Sequence, residues 1–154
     1  MNYFSSNFKL GVLGGGQLGR MLLTETQKFD IYTAILDGAK NAPCAAICNE
    51  FHHGDLMDFQ TVYNFGKLVD VLTIEIEHIN IDALFELEKM GKTIYPSPSL
   101  LKIVQDKGIQ KQFYKKHNIP TSNFELIPEN FSKSELIKKA PFVQKLRTGG
   151  YDGK

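Results

Sequence analysis

Short apolar runs alternate with segments of helical period through the first half of the chain, the pattern of βαβ units around a parallel sheet. Lys9 to Leu13 predicts a first strand, followed at once by Gly14, Gly15 and Gly16. From Gln17 the period changes: Leu18, Met21, Leu22 and Phe29 fall near one face of a predicted helix, and Arg20, Glu25 and Lys28 stay in water. Ile31 to Leu36 predicts a second strand ending in Asp37, and a loop with Gly38, Asn41 and Pro43 leads to a weaker strand near Ala46. A helix over Phe59 to Leu68 comes next, then an apolar strand from Val69 to Ile76, a helix from about Asp82 to Met90 and a short strand, Thr93 to Tyr95.

Pro96 and Pro98 interrupt this pattern, and a domain boundary is expected there, with residues 1–96 as a first domain and 97–154 as the start of a second. Ser97 can cap a helix that has Pro98 at its first position, where a missing N–H costs nothing. That helix is predicted to run to about His117, with Gly108 as a weak point, until His117-Asn118-Ile119-Pro120 stops it. A strand near Phe124 to Ile127, a helix near Ser132 to Lys139 and a strand from Phe142 to Leu146 are expected beyond it. The last segment, Thr148 to Lys154, is a glycine-rich loop leaving a strand. Such a loop should lead into another element, so residues 97–154 read as an incomplete domain.

Composition adds boundaries rather than detail. The 154 residues are 42% hydrophobic and 23% charged with a net charge of +1, which gives no electrostatic footprint for nucleic acid or a membrane surface. No stretch approaches the roughly 20 apolar residues of a membrane span. Polar Asn2, Ser5, Ser6 and Asn7 interrupt any signal-peptide core. Two cysteines, Cys44 and Cys48, fit a reducing cytoplasm better than a disulfide scaffold. Their spacing, with His52 and His53 close behind, lies within zinc-ligand range. Adjacent histidines on a strand point to opposite faces, however, and free thiols are the favoured reading.

Three motifs carry candidate chemistry. Gly14-x-Gly16-x-x-Gly19 between a strand and a helix lets the backbone approach a ligand, and the helix start attracts an anion. With Asp37 at the end of the second strand, this motif is open to NAD or FAD binding, and equally to a tight turn with at most a phosphate or carboxylate nearby. Glu75-Ile76-Glu77-His78 closes the apolar strand, and alternation places Glu75 and Glu77 on one face. The carboxyl end of a parallel strand opens into a binding crevice, so the pair is read either as acceptors for an amine or ribose hydroxyls or as a solvated strand end. In Lys145-Leu146-Arg147-Thr148-Gly149-Gly150-Tyr151-Asp152-Gly153-Lys154, glycine N–H groups can wrap phosphate oxygens and Lys145 adds a point charge. The spacing is not that of a Walker loop.

Together these segments resemble 5-(carboxyamino)imidazole ribonucleotide synthases of the ATP-grasp superfamily. The resemblance rests on Gly11 to Met21, Thr73 to Ile79, Gln105-Asp106-Lys107, Ile119-Pro120-Thr121 and Arg147 to Lys154, in that order along nearly the whole chain. It implies an α/β fold: a Rossmann-like, parallel-sheet pre-ATP-grasp domain followed by the start of an ATP-grasp domain. It also implies ATP-dependent carboxylation of 5-aminoimidazole ribonucleotide by bicarbonate in purine biosynthesis, with Mg2+ as a further cofactor, in a cytoplasmic homodimer. Carried over by motif, Lys107, Lys145, Gly150, Tyr151, Asp152, Gly153 and Lys154 are expected to bind ATP. Gly15, Gly16, Gln17 and Leu18 are expected to form an anion pocket for the substrate, joined by Glu75, Glu77, Tyr151 and Asp152. Metal-binding carboxylates and the residues that grip the substrate phosphate belong to a later domain in this family. No catalytic residue is therefore assigned here, and these 154 residues alone are expected to be inactive.

Biotin carboxylase and formate-dependent glycinamide ribonucleotide transformylase open with a similar glycine turn. Gln17-Leu18-Gly19-Arg20-Met21 with the Thr-Gly-Gly-Tyr-Asp-Gly loop favours the synthase. A non-catalytic dinucleotide-binding module is the alternative of a different class.

Overall fold

Apolar residues on both faces of Lys9 to Leu13 suit a strand covered on both sides. In the computed structural model, which describes residues 7–149, this run is β1 (Lys9–Leu13), at the middle of the sheet. After it come α1 (Gln17–Lys28), β2 (Tyr32–Asp37), β3 (Glu50–His53), α2 (Phe59–Lys67), β4 (Val71–Ile74), α3 (Ile81–Lys89) and β5 (Thr93–Tyr95). All neighbours pair in parallel, in the order β3-β2-β1-β4-β5. The chain moves outward through β2 and β3, then crosses back to β4 on the other side of β1. That reversal opens a crevice at the carboxyl ends of β1 and β4.

Strand alternation divides the core between the two faces. Leu13, Ala34 and Leu36 point to one side, where they meet Val62 and Phe65 of α2 and Ala83, Leu84 and Leu87 of α3. Val12 and Ile35 point to the other side and pack with Leu23 of α1 and Cys44. Each fully buried leucine contributes about 1.5–3 kcal/mol by its removal from water. The helices of the first layer approach closely because Gly66 has no side chain: a Cβ there would lie 2.2 Å from Leu87 Cδ1. Asp58 caps α2 by accepting from the Thr61 N–H at 2.7 Å, and Asn80 caps α3 through Ala83 N–H at 3.0 Å.

Several elements depart from the sequence pattern. The inward face of α1 is Gly19, Leu23 and Thr26, whereas Leu18, Met21, Leu22 and Phe29 are exposed. A close approach decides this: a Cβ on Gly19 would lie 3.0 Å from the Gly14 carbonyl and 3.2 Å from Cys44 Sγ. Ala46 is not in a strand; residues 43–47 form turns, with Ile47 and Cys48 N–H donating to the Cys44 carbonyl, and the strand begins at Glu50. β4 ends at Ile74, so strand alternation does not extend to Glu75 and Glu77.

The chain divides into two compact units, Met1–Lys102 and Ile103–Lys154. The long helix expected after Ser97 is two helices, α4 (Pro98–Gln105) and α5 (Lys107–Lys116), and the break falls at Asp106 rather than Gly108. Asp106 takes extended geometry and caps α5, which ends the preceding helix. In the second unit α6 (Lys133–Ile137) is a short helix, and neither predicted strand forms. Residues 124–127 and 142–146 have no ladder partner among the described residues, and apolar Phe142, Val143 and Leu146 are exposed. No helix among the described residues is long and apolar enough to cross a membrane.

Candidate functional site

The glycine turn after β1 lies at the sheet's reversal point. Gly14 adopts φ +101° and donates its N–H to the Leu36 carbonyl at 2.9 Å, which folds the turn onto the end of β2. Asp37 accepts from Gly15 N–H through Oδ2 at 2.6 Å and from Ala39 N–H through Oδ1 at 2.7 Å. Each oxygen of this carboxylate thus already holds backbone, whereas a dinucleotide site would direct it at ribose hydroxyls.

Glu75, just past β4, comes to the same turn. Its N–H donates to the Leu13 carbonyl at 2.8 Å, extending the β1–β4 pairing by one bond. Its carboxylate lies against the glycines: a Cβ on Gly14 would be 2.5 Å from Oε2, and one on Gly16 would be 2.9 Å from Oε1. The turn therefore needs glycine to admit a carboxylate. Gly16 begins α1 without a side-chain cap, and the Glu75 side chain lies beside Gly16 at the start of that helix. Gln17 and Leu18 are exposed beside it, and Glu77 is half-buried. The structure thus brings Gly14 and Gly16 against Glu75, while Gly15 between them turns to Asp37 and Ala42.

Cys44 sits beneath this turn. Its N–H donates to the Gly15 carbonyl at 3.0 Å, and its Sγ lies 3.7 Å from the Gly16 carbonyl. Burial, followed by the nearby Cys48, pushes the Cys44 thiol up to about 11, and burial also raises Cys48. Both cysteines are free. His52 pairs with Glu50 at 2.8 Å and packs edge-on against Phe65, while His53 bonds the Gly38 carbonyl at 3.0 Å. The His52 bond, before all else, lowers the Glu50 carboxyl. Among the described residues no three His, Cys, Asp or Glu side chains are grouped to hold a metal ion.

A second constellation lies within the unit Ile103–Lys154. Asp106 Oδ1 accepts from Gly108 N–H at 2.7 Å and Ile109 N–H at 3.1 Å, fixing the start of α5. The Arg147 guanidinium grips the same carboxylate, Nη2 to Oδ2 at 2.6 Å and Nε to Oδ1 at 3.1 Å. This pairing, foremost among several bonds, holds the Asp106 carboxyl below its ordinary range. Lys107 donates its N–H to the Arg147 carbonyl and its ammonium to the Gly149 carbonyl, each at 2.8 Å. Lys145 is exposed and takes no part in these contacts. Gly150, Tyr151, Asp152, Gly153 and Lys154 lie outside the described residues. Sequence alone gave no role to Asp106 and Arg147. An aspartate before a helical run was the available signal for the first; a bond across 41 positions left none for the second.

Residues 8–105, which contain the whole sheet and the glycine turn, match the ribonucleotide synthetase preATP-grasp domain family. The chain belongs to that family. This preATP-grasp chain is 40% identical to phosphoribosylaminoimidazole carboxylase of Candida glabrata, over 94% of its own length and 26% of that protein. It is 33% identical to N5-carboxyaminoimidazole ribonucleotide synthase of Staphylococcus epidermidis, over its full length and 42% of that protein. Among solved structures, N5-carboxyaminoimidazole ribonucleotide synthetase of Thermotoga maritima matches with a TM-score of 0.83 and 36% identity, over 92% of this chain and 39% of that one. The Aspergillus clavatus N5-carboxyaminoimidazole synthase, solved with ADP and 5-aminoimidazole ribonucleotide, matches at 0.77 and 36%, over 87% and 36%. The chain spans between 26% and 42% of the length of the curated relatives it matches.

Proposed function

We propose that this chain is the substrate-facing part of an ATP-dependent enzyme that carboxylates 5-aminoimidazole ribonucleotide with bicarbonate in the cytoplasm, with Mg2+ accompanying the nucleotide and with two copies in the working enzyme. The observation that carries the reading is the meeting of Glu75 with the Gly14–Gly16 turn at the sheet's reversal point. In this reading Gly15, Gly16, Gln17, Leu18, Glu75 and Glu77 contact the imidazole nucleotide. The Glu75 carboxylate favours a ligand group that donates hydrogen bonds, an amine or a hydroxyl, over a bare phosphate at the same spot. That preference suits a substrate whose reacting group is an exocyclic amine.

The C-terminal part of the chain takes the nucleotide in this proposal. The segment from residue 97 is the beginning of an ATP-grasp domain, with Lys107, Lys145 and Gly150 to Lys154 as nucleotide contacts and Tyr151 and Asp152 also meeting the imidazole nucleotide. Lys107 fits an anion, since its ammonium now rests on the neutral Gly149 carbonyl and can exchange it for a phosphate oxygen. ATP supplies the phosphoryl group that activates bicarbonate. The chain's own residues bind, orient and exclude water from the reacting groups. No Mg2+ ligand is assigned among the described residues.

ADP release tests the reading at two levels. The 154-residue chain, given ATP, 5-aminoimidazole ribonucleotide and bicarbonate, is expected to form no ADP above background; substrate-dependent ADP from it would overturn the division of labour. A protein joining this chain to the remaining length of its relatives is expected to release ADP only when both co-substrates are present. ATPase activity indifferent to both contradicts the assignment.

A further inference from the structure

Arg147 stands immediately before a glycine-rich segment proposed to hold phosphates, and its charge alone would make it a phosphate ligand. Its geometry gives it another task. Both guanidinium bonds go to Asp106, at 2.6 and 3.1 Å, in the planar fork arrangement that fixes orientation as well as distance. Asp106 is itself held: its side chain is 16% exposed and Oδ1 already caps α5 through two backbone N–H groups. Gly108 makes room for the fork, because a Cβ there would lie 2.8 Å from Arg147 Nε. The backbone follows the same line, with Lys107 N–H on the Arg147 carbonyl and Lys107 Nζ on the Gly149 carbonyl. Two adjacent residues at the start of a helix thereby set the position of a segment 41 residues later.

We propose that Asp106 and Arg147 form a latch that positions Lys107 against the start of the glycine-rich segment, so that both are positioning residues and Arg147 is not a phosphate ligand. This rests on the reading of Lys107 as a nucleotide contact. The pair is partly open to solvent, Arg147 being 57% exposed, and exposed ion pairs add little to stability. The latch therefore acts on geometry. A misplacement of the order of 1 Å in a positioned group is enough to lose about a hundredfold in a reaction that depends on it.

Opposite signs separate the latch from simple electrostatics. Asp106→Asn removes a negative charge close to a site for a polyanion, which by charge alone strengthens ATP binding, while asparagine still caps the helix. The latch requires the reverse. The probe is an acyl phosphate of ATP, which acylates lysines lying at the nucleotide's phosphates, read by mass spectrometry at Lys107 with and without excess ATP. The intact 154-residue chain is expected to show ATP-competed labelling of Lys107. Asp106→Asn, Arg147→Gln and Arg147→Lys are each expected to lower it roughly tenfold, with unfolding midpoints close to that of the unmodified chain. Lysine keeps the charge but loses the fork, so Arg147→Lys labelled as well as the parent would make Arg147 a phosphate ligand and remove the latch. Unchanged or stronger labelling in Asp106→Asn would remove it as well. Absence of ATP-competed labelling in the unmodified chain would overturn the nucleotide reading of Lys107, and the latch's purpose with it.

Discussion

The apolar residues of β1 and β2 and those of residues 142–146 look alike in sequence and end in opposite environments. Val12, Leu13 and Ile35 are at 0% exposure, whereas Val143 is at 82% and Leu146 at 62%. The difference lies in partners. β1 has a parallel neighbour on each side and helices on both faces, so its backbone groups are paired and its side chains covered. Residues 142–146 have neither ladder nor cover among the described residues. An apolar run states a capacity for burial; a neighbouring element makes it a strand.

Replacing residues in each region sharpens that contrast most strongly in the core. Leu13→Ala and Leu72→Ala are expected to cost about 3–5 kcal/mol in urea unfolding followed by circular dichroism, while Val143→Ala stays within about 0.5 kcal/mol. A cost above about 2 kcal/mol at Val143 would mean that the two regions are packed alike. The two positive-φ glycines preceding or opening the candidate loops offer a second contrast. Gly14→Ala meets both the left-handed penalty and the Glu75 carboxylate at 2.5 Å, and about 2–4 kcal/mol is expected. Gly149 has φ +66° but nothing within 4 Å of a new Cβ, so Gly149→Ala should cost only about 1–2 kcal/mol, in the same assay.

Smaller effects follow from caps and thiols. Asn80→Ala removes the α3 cap and is expected to cost about 1 kcal/mol, visible as a lower thermal midpoint. Cys44 has its thiol raised from an ordinary value of 9.0 to about 11. Below pH 9 both folded and unfolded chains keep this proton, so stability is unaffected; between 9 and about 11 the unfolded chain releases it first, and stability falls. In native protein at pH 8, iodoacetamide followed by mass spectrometry should therefore modify the half-buried Cys48 before the buried Cys44. Faster modification of Cys44 would place it outside the packed turn.

How far the sequence could be read depended on whether local pattern or distant contact decided the outcome. The strands at Lys9–Leu13 and Thr93–Tyr95 fall where the pattern puts them, because apolar runs and flanking breakers mark them locally. The inner face of α1 was misread because hydrophobicity pointed to Leu18, Met21 and Leu22, while Gly19's contact with Gly14 and Cys44 turned another face inward. In the candidate site, the glycine turn and Glu75 were legible as motifs at strand ends. That Glu75 lies against Gly14 and Gly16, and that Asp37 is bound to the turn, were not, since both depend on parallel strands arriving side by side. The Asp106–Arg147 pair was hidden by the same distance in sequence.

The turn after β1 and Glu75 after β4 are proposed to receive the imidazole nucleotide. Titration of the 15N-labelled chain with 5-aminoimidazole ribonucleotide, followed amide by amide, tests this most directly. Shifts concentrated at Gly15, Gly16, Gln17, Leu18, Glu75 and Glu77, and lost in Glu75→Gln, are the predicted result. Shifts at those amides with NAD, and none with the imidazole nucleotide, would contradict it.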